Sequence, residues 1–155
     1  MSKAVPEAAT HEATLAIRDH CLCLHAQRAA RTLVRRFDAA FRRLGLTSGQ
    51  FSLLNALNRP EPPMMGAVAA VLAMDRTTLT AALKPLERRG LVRAEAGEDR
   101  RSRRVALSDA GRALLAAAVP VWREVHAEID AEVEAAGGDL RRALGALSGG
   151  QGTSR

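Results

Sequence analysis

Met74 to Gly111 read MDRTTLTAALKPLERRGLVRAEAGEDRRSRRVALSDAG. The stretch parses as a capped helix, a short strand, a polar turn, a second strand and the cap of a further helix. Asp75 carries a side-chain oxygen suited to accept from the first free amides of a helix. Thr78, Leu79, Ala82, Leu83 and Leu86 follow at helical spacing, and the step to Ala82 predicts that Thr78 turns inward. Arg88 and Arg89 place cations at the negative end of the helix dipole, and Gly90 is a stop. Leu91-Val92 and Val105-Ala106-Leu107 are β-prone, and Gly97 to Ser102 between them is too polar for anything but a turn. Ser108 or Asp109 caps the next helix. A helix joined to a basic-tipped hairpin has the shape of a winged helix-turn-helix. Such a unit offers the helix to a DNA major groove and the hairpin to the backbone or minor groove.

The residues that could touch DNA follow from side-chain chemistry. On the Asp75 helix they are Arg76, Thr77, Thr80, Ala81 and Lys84. Short threonines let a helix sit deep and meet thymine methyls, while Arg76 and Lys84 can reach guanine or phosphate. On the hairpin they are Arg100, Arg101 and Arg103, set around Asp99, and strand alternation puts Arg101 and Arg103 on one side, Arg100 and Arg104 on the other. A threonine-rich helix start alone is ordinary capping, and arginines on a turn are ordinarily a solvated face. In succession the two favour nucleic acid.

Several segments together resemble the MarR family of bacterial transcriptional regulators: Asp75-Arg76-Thr77-Thr78-Leu79-Thr80, Leu86-Glu87-Arg88-Arg89-Gly90-Leu91-Val92, Asp99-Arg100-Arg101, Leu107-Ser108-Asp109-Ala110-Gly111 and, upstream, Leu44-Gly45-Leu46-Thr47-Ser48-Gly49-Gln50-Phe51. The resemblance covers residues 20 to 147. It implies a mainly α fold with a small β-hairpin, a winged helix-turn-helix flanked by long terminal dimerisation helices. It further implies a homodimeric repressor of operator DNA, answering a small-molecule effector or redox signal that alters the spacing of its two winged units. The family pattern Asp-x-Arg assigns Asp99 to bracing the turn and Arg101 to the minor groove. Pro85 departs from the family pattern; it removes a mid-helix amide and is expected to bend the helix.

The bulk composition agrees. The 155 residues are 47% apolar and 26% charged, which suits one globular domain with a real core. Net charge is +6, and of 23 basic residues only Lys3 and Lys84 are lysines. An arginine- and alanine-biased genome explains most of that excess, so position carries the information. Asp75 to Arg104 hold nine basic and five acidic side chains, whereas Arg112 to Leu147 hold four and six. No apolar run approaches the ~20 residues of a membrane span, and no signal-peptide pattern opens the chain. The expectation is a cytoplasmic protein without membrane contact, whose two cysteines are thiols.

Outward from the winged unit, residues 1–10 are expected to be a loose arm and 148–155 a flexible tail. Residues 11–44 and 108–147 are expected to be dimerisation helices, with 45–107 the DNA-binding region. Leu22, Ala26, Ala29, Leu33, Phe37, Ala40 and Leu44 form an apolar stripe on one long helix running to about Arg43. Gly45 ends it, Thr47 and Gln50 form a capping box, and Phe51, Leu54 and Leu57 point inward. Asn58 to Pro63 must be loop. A short helix from Met65 to Ala73 supports the Asp75 helix, with Met74 in the turn between them. Leu115, Ala118, Trp122, Val125, Ile129 and Val133 form a second long stripe, which predicts a buried Trp122; Pro120 is expected to kink that helix. Gly137-Gly138 separates it from a final short helix. Two stripes at opposite ends of the chain exceed what the small reading core can cover, so a two-fold dimer is the simplest solution. Its small-molecule pocket is expected where the terminal helices meet the second helix.

His20, Cys21, Cys23 and His25 form the other group of interest. In a continuous helix, His20 with Cys23 and Cys21 with His25 would share faces, open to a metal ion. Cys21 or Cys23 could instead sense oxidants, a role the family resemblance allows, but the favoured reading is that they pack as small apolar side chains in a dimer interface. Two apart in one helix, the two thiols point about 200° apart and cannot bond each other unless the helix unwinds. No metal or cofactor is expected. No catalytic constellation or phosphate-binding glycine loop appears, so the chain is not expected to be an enzyme.

Overall fold

The computed structural model describes residues 9–95 and 104–148. The expectations for the arm before residue 9, the tail after 148 and the hairpin turn, with Asp99, Arg100, Arg101 and Arg103, lie outside them. The chain divides into two compact units, Met1–Arg35 and Arg36–Arg155.

In the first unit, α1 (His11–His20) starts at Thr10, whose hydroxyl oxygen accepts from the Ala13 amide. The expected single long helix is broken. Cys21 adopts an extended backbone (φ −71°, ψ 104°) before α2 (Leu22–Phe41) begins. The side chains explain how the break is satisfied. It deprives the Asp19 carbonyl of its helical partner, and the His25 ring nitrogen Nε2 takes that carbonyl at 3.0 Å. His20 Nδ1 meets the Ala16 carbonyl at 2.9 Å. Histidine and cysteine are also weak helix formers, so little is lost by interrupting the ladder there.

The second unit starts inside α2. Arg42–Leu44 tighten into one short helical turn, and Gly45 closes it at φ 62°. The capping box forms: the Gln50 amide donates to Thr47 Oγ1 and the Thr47 amide to Gln50 Oε1, both at 3.2 Å. It starts α3 (Ser48–Leu57), followed by the expected loop and α4 (Met65–Val71). After α5 (Arg76–Arg88), strands β1 (Val92–Glu95) and β2 (Arg104–Leu107) pair antiparallel, with Val92 opposite Leu107 and Glu95 opposite Arg104. Helix α6 (Asp109–Ala135) continues through Pro120, and α7 (Leu140–Leu147) follows the Gly137-Gly138 break.

One core joins these pieces. Phe41, Leu54, Leu79, Leu86, Val105 and Leu107 are fully buried in it. Each apolar group removed from water contributes roughly 25 cal/mol per Å². The hairpin is fixed at both ends. Ser108 donates its hydroxyl to the Gly90 carbonyl at 2.6 Å, and its oxygen accepts from the Gly111 amide, capping α6. At the base of β2, Arg104 donates to the Pro62 carbonyl at 2.7 Å, so this arginine holds the loop before α4.

Candidate nucleic-acid interface and pocket

Helix α5 has two chemically distinct faces. Leu79, Leu83 and Leu86 are buried against the core. Arg76, Thr77, Thr80, Ala81 and Lys84 lie on the other side and together line an open recess of about 330 Å³. All five residues assigned to this helix from sequence are thus brought together on one exposed face. Helices α4 and α5 meet at 100°, the angle of a helix-turn-helix. Asp75 holds the helix start: Oδ1 accepts from the Thr78 amide at 2.8 Å and Oδ2 from the Thr78 hydroxyl at 2.6 Å. Those bonds, the Thr78 hydroxyl first, hold the Asp75 carboxyl below its ordinary pKa. They also correct the expected inward Thr78, which is exposed and belongs to the cap. Pro85 lies within α5, which continues past it to Arg88.

The turn between α4 and α5 is unusual. The Met74 amide donates to the Ala69 carbonyl at 2.9 Å, with Ala73 left-handed at φ 51°. Glycine is the ordinary occupant of that position, and an alanine there costs about 1–2 kcal/mol.

A second recess, of about 320 Å³, lies between α2, α3, the end of α4 and α6. Phe37, Phe41, Phe51 and Trp122 supply four rings to its lining. His126 sits against Trp122 at 4.1 Å and Phe37 at 5.0 Å between ring centroids. Its Nδ1 is buried without a hydrogen-bond partner among the described residues. Trp122, expected to be buried, keeps 36% of its surface because its stretch of the stripe faces this recess instead of close-packed core. Arg36 donates to Glu132 at 2.8 Å and to Glu128 at 3.3 Å, tying α2 to α6 beside it.

The His20, Cys21, Cys23 and His25 group does not form the expected facing pairs. Cys21 is outside either helix and both imidazoles engage backbone carbonyls. No cluster of three or more metal-ligating side chains occurs among the described residues. Cys23 is exposed, with the Gln27 side-chain amide donating to its sulfur at 3.3 Å.

The MarR-family profile matches residues 44–102. Among solved structures, the M. tuberculosis transcriptional regulator MosR in complex with DNA is 42% identical over 84% of this chain and 92% of its own, with TM-score 0.73. The chain belongs to the MarR family. The repressor CouR bound to a 23-mer DNA duplex is 32% identical over 83% of this chain and 89% of its own, with TM-score 0.66. A MarR-family regulator from Rhodococcus sp. RHA1 shares the fold at 21% identity, with TM-score 0.70 over 83% of this chain and 93% of its own. No curated protein matches. MarR-family proteins are DNA-binding transcriptional regulators, not enzymes, and this chain is one of them. No single described helix is long and apolar enough to cross a membrane.

Three supports of the MarR-family reading unit escaped sequence reasoning. A Cβ on Gly66 would stand 3.3 Å from Arg76 Nη2, so the bare glycine leaves room for that guanidinium against α4. Arg89 donates to the Gly45 carbonyl at 2.8 Å and so ties the end of α5 to the glycine that closes the Arg42–Leu44 turn. A Cβ on Gly111 would fall 2.0 Å from the Leu91 carbonyl oxygen, so α6 can approach the hairpin only through glycine. The Leu-Ser-Asp-Ala-Gly run held that last signal.

Proposed function

We propose that the chain acts in the cytoplasm as a homodimeric repressor that reads an inverted-repeat operator and is released by a small ligand. The single observation that carries this reading is the α5 recess, where two cations and two hydroxyl-bearing side chains share one exposed face. Arg76, Thr77, Thr80, Ala81 and Lys84 meet base edges and nearby phosphates there. Asp99, Arg100, Arg101 and Arg103 serve the hairpin, with Arg101 in the minor groove.

The dimer reading is supported by apolar surface left uncovered. Helix α1 buries no side chain and α2 buries only Phe41. Leu22 and Leu147 are each 71% exposed, and Leu140, Leu144 and Leu147 recur on one side of α7. Residues 11–44 and 108–147 serve as the dimerisation helices and 45–107 as the reading unit. The effector site is the aromatic recess.

Footprinting on promoter DNA, with sedimentation to measure mass, tests this. The expected result is a dimer protecting two half-sites about one helical turn, ~10 bp, apart. Protection of a single half-site by a monomer overturns the dimeric reading. Equal affinity for random duplex, with steep salt dependence, points instead to a non-specific architectural protein.

The break at Cys21 favours a second reading, a thiol-responsive regulator. The objection to a bond between Cys21 and Cys23 assumed a continuous helix, and the helix is not continuous. Peroxide is then expected to weaken operator binding of the wild type but not of Cys21→Ser or Cys23→Ser. Unchanged wild-type binding in peroxide excludes this.

A further inference from the structure

We propose that Thr80 and Ala81, in the middle of the exposed α5 face, read a thymine through its C5-methyl group. The proposal rests on α5 being the helix that enters the major groove and adds the base that its middle turn selects.

The deciding contact lies inside the helix. Thr80 donates its hydroxyl hydrogen to the Arg76 carbonyl at 2.8 Å, one turn back along α5. A hydroxyl carries a single hydrogen, so Thr80 has none left to donate to DNA. It keeps a methyl group and an oxygen that can still accept. Ala81, next to it and also exposed, offers only a methyl.

The major-groove edges of the bases differ in what they require of such a pair. Guanine presents acceptors alone, N7 and O6, and needs donors that neither residue supplies. An adenine or cytosine amino group finds an acceptor in the Thr80 oxygen but brings no methyl to Ala81. Thymine presents a methyl group, and the two side-chain methyls meet it without any hydrogen bond.

The neighbours on the same face sharpen the contrast. Arg76 and Lys84 lie one helical turn before and after Thr80 and line the same recess. Both are long donors that reach guanine or phosphate. The face therefore has donors at its two ends and a short, donor-free step between them.

The full-length protein first selects its operator from a pool of random duplexes. Each thymine of the selected half-site is then replaced in turn by uracil, which keeps every hydrogen-bonding group and removes only the methyl. One position per half-site is expected to lose about fourfold in affinity, as for one methyl returned to water, and replacement in both half-sites about fifteenfold. Thr80→Ser keeps the hydroxyl and removes the methyl, and is expected to reduce the difference between thymine and uracil at that position to about twofold or less. Thr80→Val keeps a methyl and removes the hydroxyl, and is expected to retain the difference. Should either variant unfold, the uracil scan of the wild type decides alone. A selected operator with no uracil-sensitive thymine overturns the proposal and leaves the operator reading standing. A sensitivity that survives undiminished in Thr80→Ser, or vanishes in Thr80→Val, also overturns it. A pool that yields no preferred sequence removes the operator reading and the proposal together.

Discussion

The recess along α5 and the recess around Trp122 are nearly equal in volume, about 330 and 320 Å³, and opposite in chemistry. One displays Arg76 and Lys84 beside two threonines and suits a polyanion with hydrogen-bonding edges. The other is walled by rings and, among the described residues, is lined by no acidic side chain, arginine or lysine. The same helical scaffold therefore carries two recesses that differ in side-chain chemistry. The two are also neighbours in the chain. Val71 and Leu72 line the aromatic recess, and the Ala73-Met74 turn leads directly to Asp75, the cap of α5. Three residues, 73 to 75, separate the lining of one recess from that of the other.

The largest test strikes the scaffold both recesses share. Gly111→Ala would gain up to about 1 kcal/mol of helix propensity. It would also drive a methyl to 2.0 Å from the Leu91 carbonyl oxygen, a backbone atom with little room to yield. The clash wins, and the variant is expected to lose about 3 kcal/mol or more in urea unfolding. A stability equal to wild type would mean that α6 and the hairpin are not locked together there.

Arg76→Ala separates the two recesses. It is expected to weaken operator binding by about 1–3 kcal/mol while leaving the fluorescence of Trp122 and the melting temperature near wild type. Unchanged operator affinity at physiological salt would remove Arg76 from the DNA face.

Ala73→Gly addresses the segment between the recesses. Relief of the left-handed alanine is expected to offset the greater freedom of glycine in the unfolded chain, for a net stabilisation of about 1 kcal/mol or less. Thermal melts measure this, and a clear loss of stability would show that the alanine methyl is needed in the turn.

The smallest effect concerns acid. The folded-state pKa of Asp75 is lowered by its bonds to Thr78, so its contribution is complete above the ordinary aspartate range and disappears as pH falls through the lowered value. Asp75→Asn is therefore expected to melt below wild type at neutral pH, with the gap closing in strong acid. A gap independent of pH would place the contribution in the shape of the side chain and not in its charge.

Local signals in the chain were legible because they act over three or four residues. Thr47 with Gln50, Asp75 and Ser108 each cap the helix expected of them, and Gly45 and Gly90 each close a helix end. The five α5 residues were legible for the same reason, since helical spacing alone places them together. Cys21 was not legible. The stripe begins only at Leu22 and no proline or glycine marks the break, where the imidazoles of His20 and His25 meet backbone carbonyls. Trp122 kept its stripe position but not its expected burial, because a periodic pattern cannot tell a packed core from the wall of a recess.

The order and type of the elements, the exposed polar face of α5 and the family were determined by the sequence itself, through capping, periodicity and short motifs. Tertiary structure alone decided which arginines are spent on scaffold: Arg89 on Gly45, Arg104 on Pro62 and Arg36 on α6. It alone placed Phe37 from α2, Phe51 from α3, Leu72 after α4 and Trp122 and His126 from α6 around one space. The physical reason is range. Capping and periodicity act within a turn or two of helix, whereas a recess exists only where residues up to 89 positions apart, Phe37 and His126, are brought into contact by packing.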